Sequence, residues 1–186
     1  MVNTLTGTLD GPIVWANVTT VASSTTATLN FSGPEGVSWI LSSLIGGGTL
    51  VNEGILNLDT TSTKSILELS TLNNNGLIVI RTSGDLNITD GILNNSASGV
   101  IDLQADGGDI SYTGTSSRIL NNAGLIRRTT TTGTANIDTE LNNTGTISVE
   151  SGELRFQFLN KNLSGGTYHV SSGASLFWNG PITCLG

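Results

Sequence analysis

The sequence is short of charge, and above all of positive charge. Only 11% of its 186 residues are charged, lysine occurs twice, and the net charge is −7. Such a chain lacks the basic surface that binds phosphate backbones or anionic lipid headgroups. We therefore expect no nucleic-acid partner.

Cysteine and histidine each occur once, as Cys184 and His169. A single cysteine cannot form a disulfide within the chain, and a single histidine without a cysteine partner cannot anchor a typical zinc site. No Gly-x-Ser-x-Gly motif marks a catalytic nucleophile that His169 could serve. We therefore expect a protein without enzymatic activity.

Long apolar runs are missing as well. The longest aliphatic run covers residues 77–80, whereas a helix that spans a bilayer needs roughly 20 apolar residues. We therefore expect no membrane insertion. Residues 1–4 also lack the basic and apolar regions of a secretion signal.

Four small or polar residue types dominate what is present. Threonine (27), glycine (24), serine (21) and asparagine (19) make up about half of the chain. These residues favour strands, turns and caps over helix interiors. No helical pattern of useful length is visible, so the composition predicts an all-β fold.

A motif, Leu-Asn-Asn-x-Gly-x-Ile, recurs along the chain. The leading leucines are separated by 22, 21, 27, 21 and 18 residues. A unit of about 21 residues made of short alternating strands cannot bury its own apolar face, so neighbouring units must stack. The copies, the last of them degenerate, begin at Leu50, Leu72, Leu93, Leu120, Leu141 and Leu159.

Stacked units with strands that pair in parallel form a β-helix. We predict an all-β, right-handed parallel β-helix (β-solenoid) of about six coils, the hand following from the parallel crossover rule. Residues 1–186 form one domain, with 1–26 as an N-terminal cap or joining strand, 27–180 as coils and 181–186 as the C-terminal edge. The alternative is a β-sandwich in which the repetition is coincidental.

Two columns of repeated residues are predicted to join the coils. Asparagines at one turn of every coil can stack their amides into a hydrogen-bonded ladder. Glycines two positions later, or four in the third copy, which carries two extra residues, are expected to supply the positive φ that the corner requires. The predicted ladder contains Asn52, Asn74, Asn95, Asn122 and Asn143, and the turn glycines are Gly54, Gly76, Gly99, Gly124 and Gly145.

The two ends of the sequence match each other. Residues 176–183 followed by residues 5–13 continue the alternation, and both segments carry an Asn/Asp-Gly-Pro-Ile turn. We therefore expect self-association, or neighbouring modules in tandem. The predicted end-to-end contacts are Leu5, Leu9, Ile13, Leu176, Trp178 and Ile182.

The repeat motif, together with residues 149–154, 164–170 and 173–176, resembles secreted bacterial β-helical repeat proteins. These include filamentous-haemagglutinin-like and autotransporter-type adhesins and very large tandem-repeat surface proteins. The resemblance covers roughly residues 45–180. It implies a bacterial extracellular or cell-surface protein whose signal peptide has been removed. It also implies a structural or adhesive role, and it carries no catalytic residues.

Two further functions compete with a purely structural module. A carbohydrate-binding adhesin or tailspike-like module would bind a cell-surface glycan through exposed aromatic residues, because aromatic faces suit sugar rings. The candidates for such contacts are Trp15, Trp39, Trp178 and Tyr112.

A polysaccharide-degrading enzyme would need clustered acids and a basic residue. The one acidic cluster is Asp102, Asp106 and Asp109, and Arg81 or Arg127 could converge on it. The same three carboxylates are the candidate Ca²⁺ ligands, since Ca²⁺ prefers hard oxygen donors. Their spacing matches no EF-hand or glycine-rich calcium repeat. We expect no other cofactor.

Overall fold

The structure is a computed structural model that describes residues 2–7, 13–31, 34–114, 118–157, 161–162 and 165–179, the backbone alone at 2–7, 42, 161 and 162. These residues form 24 strands and no helix. The strands belong to three eight-stranded sheets, in which every strand pairs in parallel with the strand three places along the chain. This arrangement is a parallel β-solenoid, so the predicted fold class is confirmed.

Each coil contributes one strand to each sheet. Sheet A contains β1 (Val2–Gly7), β4 (Thr26–Phe31), β7 (Thr49–Asn52), β10 (Thr71–Asn74), β13 (Gly91–Asn95), β16 (Arg118–Asn122), β19 (Glu140–Asn143) and β22 (Lys161–Asn162). Sheet B contains β2 (Ile13–Trp15), β5 (Val37–Trp39), β8 (Ile55–Leu58), β11 (Leu77–Ile80), β14 (Val100–Leu103), β17 (Leu125–Arg128), β20 (Thr146–Val149) and β23 (Thr167–Val170). Sheet C contains β3 (Thr19–Thr20), β6 (Ser42–Ile45), β9 (Lys64–Ile66), β12 (Leu86–Ile88), β15 (Ile110–Ser111), β18 (Thr134–Ile137), β21 (Glu153–Phe156) and β24 (Ser175–Trp178).

The core consists of columns of aliphatic side chains that repeat from coil to coil. The leading leucines of the motif face inward from sheet A, and a column of leucine and isoleucine faces them from sheet B. Successive side chains of a strand point to opposite faces of the sheet, and the register does not shift from coil to coil. The same position is therefore buried in each coil. The sheet B column is Leu56, Ile78, Ile101, Ile126 and Ile147, each fully buried.

The solenoid completes about seven turns rather than about six, because the strands begin earlier than predicted. The segment 1–26, expected as a cap or a joining strand, supplies β1, β2 and β3. Strand β1 pairs with β4 in full register from Val2 opposite Thr26 to Gly7 opposite Phe31. The right-handed turn stays a prediction of the crossover rule.

The sixth copy of the motif is displaced from its predicted position. Lys161 pairs with Leu141, and Asn162 pairs with Asn142. The leading position of that copy is therefore Lys161 and not Leu159, which lies outside the described residues. Strand pairing, and not residue identity, defines the repeat at this end.

Candidate functional site

The predicted asparagines form one continuous row through the interior. The side-chain amide Nδ2 of each donates to Oδ1 of the next, at 2.8 Å from Asn52 to Asn74 and from Asn74 to Asn95, and at 2.7 Å from Asn95 to Asn122 and from Asn122 to Asn143. All five are buried. The remaining N–H of Asn74, for example, reaches the carbonyl of Val100 at 3.0 Å. We call this row the inner ladder, and it joins five coils.

The inner ladder stops at an aromatic hydroxyl. Asn143 Nδ2 donates to the phenol oxygen of Tyr168 at 2.9 Å. At the other end the register places Leu29, and then Leu5, in the column that Asn52 begins. Tyr168 was missed by the sequence analysis because it belongs to sheet B, 25 residues after Asn143, and not to the asparagine position of the next repeat.

A second row of amides runs along the outside of sheet A. Nδ2 of Asn94 donates to Oδ1 of Asn73 and that of Asn121 to Asn94, both at 2.8 Å, and Asn142 donates to Asn121 at 2.9 Å. These bonds point toward the N-terminal end, whereas those of the inner ladder point toward the C-terminal end. We call this half-buried row the outer ladder. The doubled asparagine of the motif was its signal in the sequence.

The turn glycines serve a different purpose from the one predicted. The glycines with positive φ lie elsewhere, and Gly54, Gly76, Gly99, Gly124 and Gly145 are not among them. A Cβ at each of the five would instead come closer than 3.0 Å to a backbone oxygen of the preceding coil. The oxygen that Gly145 approaches belongs to Gly124, and the one that Gly76 approaches belongs to Gly54. The prediction of positive φ was wrong, and glycine is required because adjacent coils approach too closely for a side chain.

Asp102 is buried on β14 and fully engaged. Its Oδ2 accepts from Arg127 Nη2 at 2.8 Å, from Arg127 Nε at 3.0 Å and from Gln104 Nε2 at 3.0 Å. Its Oδ1 accepts from the Thr129 hydroxyl at 3.0 Å. Arg127 does converge on an aspartate, as the enzyme hypothesis requires, but this carboxylate is 1% exposed and has no accessible face for a substrate.

Asp106 pairs with a buried arginine. Arg128 points inward from β17 and is fully buried, yet its guanidinium meets the Asp106 carboxylate, the carbonyl of Ala105 at 2.8 Å and that of Gly133 at 3.0 Å. The hydrogen bond from Thr131 is the largest influence that lowers the pKa of Asp106, and Arg128 adds to it. Arg128 thus joins the loops of two successive coils through hydrogen bonds.

Asp109 contacts the next coil through a single residue. Its two oxygens accept from the backbone N–H of Asn136 at 2.7 Å and from Asn136 Nδ2 at 2.8 Å. Burial raises the pKa of Asp109, and the nearby charge of Asp85 acts in the same direction. Each aspartate of the predicted cluster therefore meets a different residue of the following coil. Among the described residues, no group of three or more His, Cys, Asp or Glu side chains could hold a metal ion.

A second buried cation escaped the sequence analysis. Lys64 is fully buried on β9, and its Nζ donates to the carbonyls of Thr60 and Ser62, both at 2.6 Å. Burial lowers the pKa of Lys64, against the opposing influence of Asp59 and Asp85. The polar residue at an inward position, opposite Leu86 in register, was its only signal. Lys64 and Arg128 both stabilise turns between sheets B and C.

Among the described residues the tryptophans pack toward the two ends, and the aromatic residues do not form a row along one face. Trp15 stacks on the buried Trp39, with ring centroids 4.3 Å apart. At the opposite end Trp178 packs against Phe156 and Tyr168, with centroids 5.9 and 5.8 Å apart. Tyr112, on the loop after β15, lies under the guanidinium of Arg118 at 3.8 Å.

Both ends of the solenoid are open in the described part of the chain. At one end β1, β2 and β3 form the edges of the three sheets, and at the other end β22, β23 and β24 do. Of the predicted end contacts, Ile13 packs at the first end, and Leu176 and Trp178 pack at the second. Leu5 has a described backbone on β1, and Leu9 and Ile182 lie outside the described residues.

The first end contains an apolar cavity of about 310 Å³. Its lining includes Ile13, Trp15, Leu29, Phe31 and Val37. At the second end Val170 occupies the inward column of β23, where the equivalent Val149 is fully buried, yet Val170 is 47% exposed. In the part of the chain that the structure describes, the core is therefore covered along its length and uncovered at its ends.

Comparisons with known proteins found no relative of this chain. No family model matches it, and neither curated proteins nor solved structures contain a significant match. The described residues contain no helix that is long and apolar enough to cross a membrane. The described residues are characterised by their β-solenoid architecture and their two ladders.

Proposed function

We propose that this chain is a non-enzymatic structural module, a rigid β-solenoid segment of a secreted bacterial surface protein or extracellular fibre. The observation that carries the proposal is the use of its buried polar groups. The inner ladder, Arg128 and Asp102 all join one coil to the next, through hydrogen bonds between groups about 20 to 27 residues apart in sequence. Such contacts stiffen the long axis and leave no free reactive group in them.

Two of the three candidate carboxylates, Asp102 and Asp109, support this assignment over catalysis. General acid and base residues need a face that reaches substrate. Asp102 is covered, and Asp109 is engaged by Asn136 through both oxygens. Of the aromatic residues that a glycan-binding groove would use, the three tryptophans pack toward the ends of the solenoid, and Tyr112 lies alone under Arg118.

The composition supports an extracellular location. The chain contains two lysines and resembles secreted bacterial solenoids in its repeat motif. A surface poor in lysine and rich in threonine offers few sites to trypsin-like proteases. The strand edges at both ends suit a module that continues into its neighbours through main-chain hydrogen bonds.

A tandem fusion tests the structural role. Two copies joined directly should form one longer rod, in which eight further strands per sheet at about 4.8 Å each add roughly 38 Å. Small-angle scattering should then show an increase of that size in the longest dimension, with an unchanged cross-section. The matched control is the same pair joined by a long Gly/Ser linker, which should scatter as two independent bodies. Identical scattering by the two fusions would contradict the proposal.

A further inference from the structure

The charged residues of this chain are confined to its middle. Residues 35–161 contain all seven basic residues and 13 of the 14 acidic residues. Residues 11–34 contain no charged residue, and neither do residues 162–186 apart from the neutral His169. The flanks of the rod are therefore acidic, while its two ends are almost without charge.

This distribution is the opposite of what protects a free edge. Soluble proteins block exposed strand edges with charged side chains, proline or covering segments. Here the edge strands β2, β3 and β24 have no charged residue, and β23 carries only His169. The one charged residue on an edge strand is Lys161 on β22, and the sequence before residue 35 holds one acidic residue, Asp10.

We infer that the two ends bind each other in separate copies of this chain, so that the protein assembles head to tail into unbranched filaments. The inference rests on the proposed function and adds the partner, which is a second copy. In every sheet the free edge at the C-terminal end lies parallel to the free edge at the N-terminal end. Stacking therefore continues all three sheets with the same strand direction.

The register of sheet B determines which residues meet. Tyr168 follows Ile147 in the inward column whose first member is Ile13, and Val170 follows Val149 in the column whose first member is Trp15. Adding one further coil therefore places Tyr168 against Ile13 of the next copy, and Val170 against Trp15. The contact closes the apolar cavity at the first end and covers Val170, which removes apolar surface from water.

The acidic flanks direct assembly along the axis. Rods lying side by side bring negative flanks together, whereas end-to-end contact joins two nearly neutral surfaces. The two ends differ from each other, so the contact is heterologous and does not close into a dimer. A straight solenoid that continues its own axis therefore grows as an open filament.

The test is the Val170→Asp variant of the whole chain. Val170 is half exposed in the free chain, so the carboxylate is tolerated there, but the contact would bury it without a partner. The matched control is Leu69→Asp, an apolar and still more exposed position on a turn away from both ends. Circular dichroism and thermal unfolding establish that both variants fold.

Sedimentation velocity and negative-stain electron microscopy over a concentration series give the readout. Wild type and Leu69→Asp should rise above the 19.2 kDa monomer and form thin unbranched filaments. Val170→Asp should dissociate at least roughly 100-fold more readily. Salt should leave the filaments intact, because the contact contains few charges. Wild type that stays monomeric, filaments that salt dissolves, or equal assembly by Val170→Asp would overturn the inference.

A mixing experiment tests the polarity. Val170→Asp keeps an intact N-terminal end, so it should bind the C-terminal end of a wild-type filament and stop its growth. Small amounts of the folded variant should therefore shorten wild-type filaments, and Leu69→Asp should not. Unchanged length would contradict head-to-tail contact. If the separate chains stay monomeric while the direct tandem fusion is one rod, self-assembly fails and the structural role stands.

Discussion

The inner and outer ladders contain the same residue type, one position apart, and yet they place different demands on the sequence. The inner amides are buried in the core, and the outer amides lie half buried on sheet A. Their hydrogen bonds have nearly equal lengths and opposite directions. In the core no water can replace a lost partner, whereas on the sheet surface water can.

Burial, and not the number of asparagines, separates the two rows. The inner position holds asparagine in five successive coils, and the outer position also does, from Asn73 to Asn162, with Val51 opposite Asn73. Because the hydrogen bonds of the two ladders run in opposite directions, the amide dipoles of the two rows are antiparallel. Both ladders favour the same register, and the inner ladder is the more costly one to break because its amides are buried.

The largest expected effect comes from breaking one inner amide. Asn122→Ala should lower the free energy of unfolding by about 2–5 kcal/mol, because it removes one acceptor of the buried Nδ2 of Asn95 and leaves Oδ1 of Asn143 without its donor. Asn121→Ala is the matched change in the outer ladder and should cost less than about 1 kcal/mol. Urea unfolding of both variants measures the difference. Equal costs would show that burial does not separate the ladders.

A substitution at Gly124, in the corner next to Asn122, tests whether the inner ladder depends on the close approach of adjacent coils. A Cβ on Gly124 would strike the backbone oxygens of Ser96 and Gly99. Gly124→Ala should therefore cost about 1–3 kcal/mol by forcing these coils apart. Gly165→Ala is the control, since it has positive φ and open space and should cost roughly 1 kcal/mol for conformation alone. Thermal unfolding of the two variants compares crowding with backbone conformation.

The hydroxyl that ends the inner ladder should matter less. Tyr168→Phe removes the acceptor of Asn143 Nδ2 and keeps the ring that contacts Trp178. Because this end is partly open to water, the expected loss is about 0.5–1.5 kcal/mol. Urea unfolding of Tyr168→Phe beside Asn122→Ala measures it. A loss of unfolding free energy as large as that of Asn122→Ala would mean that water is excluded from the end of the ladder as completely as from its middle.

The repeat made the coils and both asparagine columns predictable, since a residue that recurs with the period of the coil stacks on itself. The role of the glycines was not predictable, because a glycine in a sequence does not reveal whether φ or a close neighbour requires it. Lys64 and Arg128 were missed for another reason. Their partners are mainly loop carbonyls, and a carbonyl has no sequence signature. Tyr168 ends the ladder from a different sheet, which no one-dimensional repeat can show.

The smallest expected effect concerns Asp109, a carboxylate that stacks between coils as the neutral amides of the ladders do. Asp109 follows Asp85 in register, and its pKa in the folded chain is raised above the unfolded value by burial. A raised pKa favours the folded state while the carboxyl is protonated. That stability is present below the unfolded pKa of about 3.9 and is lost as the pH rises through the folded pKa. Asp109→Asn should therefore gain stability relative to wild type as the pH rises toward neutrality.

Urea unfolding at several pH values measures this gain, with Asn121→Ala as the control whose difference from wild type should not change with pH. Asp106 and Glu153 act in the opposite sense, since their lowered pKa values give stability that is lost as the pH falls. Both groups are present in all three proteins, so their contribution cancels in the difference. A difference between Asp109→Asn and wild type that is constant with pH would mean that the Asn136 hydrogen bonds offset the effect of burial at this carboxylate. The Asp109 carboxylate would then be as insensitive to pH as the amides of the two ladders.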